Sequence, residues 1–519
     1  MSKTATAAAT IELDGKHLTL EQIRAVAEAG APVSISAQAR KRVQAARAFV
    51  EEQFDGGTPI YGVTTGFGRL ANVTVPPSEA ATLQVNLVRS HAAGTGPPLT
   101  ERFVRAAGVL RASSLAAGHS GIRTETLDLL VALLNERITP YVPIQGSVGA
   151  SGDLAPLAHM TLTLLGEGDA FYRGQRMPAE RALRGAGLEP LTLGAKEGLS
   201  LVNGTEVMTG ISALCVLRAE RLCAAADVIG ALSLEAFHAT DRVFDRRINA
   251  LRPHVGQARV ADNLRALVRD SEIMQSHREC GRVQDPYSYR CIPVVHGAVR
   301  DAVAYARQII ETEAISVTDN PLVFPNDKEF LSGGNFHGQP VALAADVLKT
   351  SMSQLANISE RRLYLLLNAE DRGLPLFLTG RSGLQSGLML VQYTAAALVS
   401  ENKGLAWPNS VDSIPTSAGQ EDHVSMGMTA ACNLDRALDN VEGALACELL
   451  GALAATDFRR PLRSGRGTQA AYDIARTRIE PWTEDRVPAP DIESARDLIA
   501  SEAIVDAAED AIGERLCHV

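Results

Sequence analysis

The segment with the least ordinary chemistry runs Gln145-Gly-Ser-Val-Gly-Ala-Ser-Gly-Asp-Leu-Ala-Pro-Leu-Ala-His159, centred on Ala150-Ser151-Gly152. Small residues on both sides permit tight backbone turns, and Asp153 is placed to cap a helix that begins at Leu154. A phosphate cradle is a poor reading, because the spacing is neither GxxxxGK[ST] nor GxGxxG and no lysine follows. Other segments carry groups suited to acid–base or binding work. Tyr61 opens the run Tyr61-Gly-Val-Thr-Thr-Gly-Phe-Gly68 and, taken alone, reads as a packed aromatic. Arg290 ends Gln284-Asp-Pro-Tyr287-Ser-Tyr-Arg290, and its planar fork can grip a carboxylate through two hydrogen bonds. Glu421 lies in Gln420-Glu-Asp-His-Val-Ser-Met426, where a carboxylate can pair with an imidazolium or an ammonium or accept a proton. His277, Cys280, Cys291 and His296 hold metal-binding atoms, but their spacing matches no zinc pattern, so no metal is expected.

These groups sit in a chain of 519 residues, 46% hydrophobic and 21% charged, which excludes a wholly disordered protein. A net charge of −10 gives no basic surface for nucleic acid, and aromatics at 4% favour close-packed helices over a β-sandwich. Seven scattered cysteines without a CxxC pair read as reduced thiols of a cytoplasmic protein, and the N-terminus lacks the pattern of a signal peptide. The stretch Ser382 to Ser400 is too polar for a membrane span and reads as a buried helix. Thr19 with Gln22 predicts a capping box after a short strand at Ile11–Leu13. Val341, Ala345, Leu348, Met352 and Leu355 share one face of a helix expected from Gly338 to about Asn368, and Leu434, Leu438, Val441, Leu445, Leu449 and Ala452 repeat the pattern. The expected fold is mainly α. Residues 1–10 form a tail, 11–200 a mostly helical N-terminal domain with the Ala-Ser-Gly loop, and 201–519 a bundle of long helices.

Taken with its flanks, the Ala150-Ser151-Gly152 loop resembles the cofactor loop of the aromatic amino acid ammonia-lyase family, which includes histidine, phenylalanine and tyrosine lyases and related aminomutases. The resemblance covers roughly residues 11 to 500. It implies that Ala150, Ser151 and Gly152 cyclise with loss of two waters to 4-methylidene-imidazol-5-one, an electrophile that ordinary side chains do not provide. By the same resemblance Tyr61 is the catalytic base and Asn203, in Leu201-Val-Asn203-Gly-Thr205, lies beside the cofactor. Arg290 would clamp the substrate carboxylate, with Gln284 and Tyr287 lining the site. Thr318-Asp-Asn320-Pro and Gly333-Gly-Asn-Phe336-His are further matches, which imply Asn320 near the carboxylate and Phe336 against the substrate.

Substrate choice rests on two blocks. Ser90-His91 is similar to the histidine-specific members and to some tyrosine enzymes. The run from Gln420 to Met426 is similar to the histidine-specific members, and phenylalanine and tyrosine members usually carry a neutral residue at the position of Glu421. A carboxylate suits an imidazole substrate, whereas a phenyl ring gives it no partner. The implied reaction is therefore loss of ammonia from L-histidine to give trans-urocanate, with His91 and Glu421 at the imidazole and amine ends. A tyrosine or phenylalanine lyase, or an aminomutase, is the alternative. Ile292, Val294 and Glu206 depart from the family pattern, which bears on specificity more than on reaction type. The family further implies a homotetramer with active sites shared between subunits, a small amino acid as the only partner besides its own copies, and neither nucleic acid nor membrane.

Overall fold

A computed structural model describes residues 9–55, 60–66 and 68–516. Most of the expected tail, Phe67 of the Tyr61 loop and Cys517 lie outside the described residues. The chain is mainly α, with a few two- and three-stranded sheets. Among the described residues no helix is long and apolar enough to cross a membrane. Six cysteines from Cys215 to Cys447 are free thiols.

The chain divides into two compact units. One comprises residues 1–214, 307–346 and 408–432, and the other 215–306, 347–407 and 433–519. In the first unit, Ile11–Leu13 pairs in parallel with Val33–Ile35. The Thr19 hydroxyl accepts from Gln22 N while the Gln22 side chain accepts from Thr19 N, completing the expected capping box. The helix Glu101–Ala116 is buried along almost its whole length, from Phe103 to Ala116. The terminal guanidinium nitrogens of its two internal arginines, Arg105 and Arg111, donate to backbone carbonyls and, from Arg111, to one carboxylate. Buried charge is tolerable only when paired in this way. Three shorter helices, Ala80–His91, Leu154–Leu164 and Glu197–Val202, pack on one another. Gln84 joins two of them to the Tyr61 loop: fully buried, it donates to Gly62 O and accepts from Leu199 N.

In the second unit the polar groups that long helices bury are paired across helices. Glu448 accepts from Arg362 and from Ser233, while Asp227 accepts from His296, Arg300 and Asn263. The predicted helix from Gly338 to about Asn368 is found at Gln339–Leu366, roughly 42 Å at 1.5 Å per residue, and its five predicted face residues are buried. The second predicted face is buried throughout within Gly427–Asp457.

The stretch Ser382 to Ser400 is a correction. Its helix spans Met389–Leu405, and Leu390 and Tyr393 are exposed. Residues before it are a loop because Gly383 and Gly387 take left-handed backbone, and Asp485 accepts from Ser386 N and Gly387 N.

Candidate active site

The three packed helices of the first unit each end or begin at a cavity of about 370 Å³. Ala80–His91 delivers His91 at its last turn, Leu154–Leu164 follows Ser151, and Glu197–Val202 delivers Asn203. Tyr61 and Glu421 join the polar lining with Asn86, Ser90 and Ser417, and Leu83, Leu87, Leu199 and Val202 supply an apolar wall. That mix of an apolar wall with a few convergent polar groups is what a small-molecule site requires.

The loop around Ser151 is held by backbone geometry that only glycine meets. Gly152 has φ +70°, and a Cβ there would collide with Gly204 O and stand 3.1 Å from Phe336 O. Asp153 N donates to that same Gly204 O at 2.7 Å. From its place before Leu154, Asp153 is expected to cap that helix. The helix does start there, but the carboxylate does not cap it. It accepts instead from Val207 N and Met208 N, at the start of the helix Glu206–Ala236. Those donors are available because the first amides of any helix lack partners within it. Burial pushes the Asp153 carboxyl up to about 7, and the nearby Glu206 adds to the effect.

Glu421 is brought to Ser151 by the segment that follows it. Met426 N donates to Val148 O and Ser425 Oγ to Gly149 O, which fastens this segment onto the glycine-rich loop. Ser151 Oγ then lies 3.3 Å from Glu421 Oε1. The other carboxylate oxygen accepts from Thr416 Oγ1 at 2.6 Å, and paired backbone bonds between residues 416 and 421 close the intervening loop. Thr416 was not visible in the sequence as a site residue, because nothing in its type distinguishes it from other loop threonines. Tyr61 OH accepts from Gly68 N at 3.0 Å. The imidazole of His91 meets Ser90 Oγ at 3.1 Å, and its partial burial holds its pKa below the ordinary histidine value against the opposing pull of Glu421.

Tyr61, His91, Ser151, Asn203 and Glu421 thus share one lining, with Ala150 and Gly152 flanking Ser151. Asn320 stands apart from that lining, its side-chain oxygen accepting from Gly333 N. Phe336 is represented near the loop by its carbonyl. Gln284, Tyr287 and Arg290 belong to the second unit. Gln284 and Arg290 line a cavity of about 490 Å³ there with His238, His277, Arg242 and Arg282. Arg290 Nε donates to Asp285 O, and its guanidinium lies 4.8 Å from the centre of the exposed Tyr287 ring. As for metal, both ring nitrogens of His277 face backbone carbonyls, and no cluster of three His, Cys, Asp or Glu among the described residues is arranged to hold an ion.

Residues 18–477 match the family described as aromatic amino acid lyase. The histidine ammonia-lyase of Sorangium cellulosum is 52% identical, covering 96% of this chain and 99% of its own length. That of Myxococcus xanthus is 50% identical over the same shares. Among solved structures, histidine ammonia-lyase from Trypanosoma cruzi superposes with a TM-score of 0.90 at 42% identity, covering 97% of this chain and 95% of that one. Tyrosine aminomutase from Streptomyces globisporus gives 0.93 at 38%, covering 98% and 100%. With a family match over most of its length and relatives at half identity end to end, the chain belongs to the aromatic amino acid lyase family and is a carbon–nitrogen lyase.

Proposed function

We propose that the protein is a histidine ammonia-lyase, removing ammonia from L-histidine without oxidation to give trans-urocanate. The observation that carries this reading is a carboxylate and an imidazole, Glu421 and His91, in one cavity with Ser151. Relatives of about half identity and nearly equal length bear that name, which supports histidine over tyrosine or phenylalanine.

We assign Ala150, Ser151 and Gly152 to a self-formed methylidene-imidazolone, built when the Gly152 amide nitrogen closes on the Ala150 carbonyl carbon and two waters leave. The residues fit that group: position 152 admits only glycine, the Ser151 side chain opens onto the cavity, and the buried side-chain oxygen of Asn203 in the same wall has no hydrogen-bond partner. Once formed, the group supplies an electrophilic carbon that ordinary side chains lack.

The remaining roles follow from each side chain's chemistry. Tyr61 takes the substrate β-proton at its phenolic oxygen, where Gly68 N–H is a ready donor. Glu421, oriented by Thr416, meets the amine or imidazole end of the substrate. His91 stays neutral at neutral pH and hydrogen-bonds the substrate ring without adding positive charge. Arg290 binds the carboxylate, aided by Gln284 and Tyr287 and with Asn320 near it, while Asn203 lies beside the cofactor and Phe336 against the substrate. The assembly is a homotetramer with shared sites, and the free cysteines suit a cytoplasmic location.

Ser151→Ala tests the assignment. The variant is expected to fold with an unchanged thermal midpoint, to show no loss of water by intact mass, and to lose essentially all turnover. Wild-type turnover in that variant removes the cofactor from the account.

A further inference from the structure

Glu206 departs from the family pattern, and it is buried at the back of the site. Its carboxylate accepts from Arg111 Nη1 at 2.5 Å and from Thr318 Oγ1 at 3.2 Å. Both partners of this ion pair are almost wholly buried, at 2% and 5% side-chain exposure. The second guanidinium nitrogen, Arg111 Nη2, donates to Asn203 O at 2.7 Å and to Ser200 O. One planar cation therefore grips one carbonyl in the last turn of the Glu197–Val202 helix and the carbonyl of Asn203, the residue that follows the helix. Gly204 comes next, with φ +155°, and a Cβ there would stand 2.6 Å from Arg111 Nη1 and 2.8 Å from Thr318 Oγ1, and would overlap Glu206 Oε2. On its other side Gly204 O takes the Asp153 amide.

One line of contacts through the wall runs from Glu206 and Thr318 to Arg111, then to the Asn203–Gly204 backbone and the Ala150–Asp153 loop, beside the direct bonds that the Asp153 carboxylate takes from Val207 N and Met208 N. We infer that Arg111 and Glu206 are a positioning pair that acts through Asn203 and Gly204 on the Ala150-Ser151-Gly152 loop. A guanidinium has several donors in one plane, so it holds two carbonyls and a carboxylate at set angles; a lysine ammonium cannot. Glu206 matters because it fixes which edge of that plane faces the backbone. The Asn203 side-chain oxygen, buried and unpartnered on the cavity side, is the group whose aim this pair sets. The inference rests on the proposed role of the 150–152 loop.

The test compares Glu206→Gln and Arg111→Lys with Arg105→Lys in the full-length protein. Arg105 lies on the same buried helix and bonds the carbonyls of Val26, Ala27 and Leu134, away from the Asn203 segment. Glu206→Gln keeps shape and one acceptor, so it is the variant that retains the fold if Arg111→Lys does not. Three quantities are read: the dehydrated fraction by intact mass, kcat and KM for L-histidine, and the thermal midpoint.

Glu206→Gln and Arg111→Lys are expected to be incompletely dehydrated and to lose about 10- to 100-fold in kcat, with KM within about two-fold. Arg105→Lys is expected to lower the thermal midpoint while remaining fully dehydrated, with wild-type kcat. The inference is overturned if Glu206→Gln is fully dehydrated with wild-type kcat, or if Arg105→Lys shows the same losses. An unmodified wild-type mass, or a wild type inactive on every aromatic amino acid, defeats the underlying reading instead.

Discussion

Glu421 bears most of the substrate assignment, and its geometry sets what removing its charge does. One oxygen is 3.3 Å from Ser151 Oγ and the other is held by Thr416. Glu421→Gln retains both contacts in shape but removes the charge and the proton-accepting capacity. It is expected to lower kcat on L-histidine by roughly 10²- to 10⁴-fold, measured by product absorbance, because a positioned acid–base group contributes on that order. Full activity in that variant removes Glu421 from the chemistry. At this scale the family resemblance of whole motifs, not residue type alone, made the cavity readable: His91, Tyr61, Glu421 and Ser151 all reached one lining. Their supporting partners were not readable. Thr416, Arg111 and the true destination of the Asp153 carboxylate depend on contacts between segments far apart in sequence. Asp153 looked like a cap for its own helix because local spacing allowed it, yet its side chain reaches the helix starting at Glu206.

Elements were legible where their signal was periodic. Apolar residues at steps of three and four marked both long helices, whose predicted faces are buried. The signal failed for residues 382–388, where uncharged composition looked helical and two left-handed glycines dictate a loop. Nor does periodicity reveal the buried ions that bind these helices together. Glu448 is wholly buried and takes two bonds from Arg362 and one from Ser233. Glu448→Ala leaves the Arg362 charge without its carboxylate, and is expected to cost about 3–5 kcal/mol in denaturant unfolding. Gly152→Ala tests the loop in the same spirit. With φ at +70° and the Gly204 carbonyl in the way, the variant is expected to lack both dehydration and turnover while the helices persist by circular dichroism. A dehydrated, active variant contradicts the tight packing at position 152.

For the whole molecule, acid stability and assembly can be stated in advance. Burial, together with the positive charges of Arg459, Arg282 and Arg372 and the adjacent His277, pushes the His238 pKa down to about 3. An unfolded histidine titrates near about 6.5, so below that pH protonation favours the unfolded chain. The stability His238 contributes is complete above about pH 6.5 and is lost as the pH falls toward about 3. His238→Asn tolerates the same left-handed backbone and is expected to flatten this part of the acid dependence of the thermal midpoint. An identical slope in both proteins contradicts the assignment. Exposed apolar side chains such as Trp407 at 73% and Val283 at 94% are of the kind that association covers. The shared-site proposal predicts a tetramer in sedimentation of the active species, and a monomer at working concentration contradicts it.

Conversion of L-histidine is read by near-ultraviolet absorbance of the purified protein, with L-tyrosine and L-phenylalanine as parallel substrates. A histidine ammonia-lyase gives a rise characteristic of urocanate with L-histidine alone. A cinnamate-type rise with tyrosine or phenylalanine and none with histidine would keep the lyase chemistry and contradict the roles given to His91 and Glu421. A flat trace with all three, or a β-amino acid as product, would contradict the ammonia-lyase reading itself.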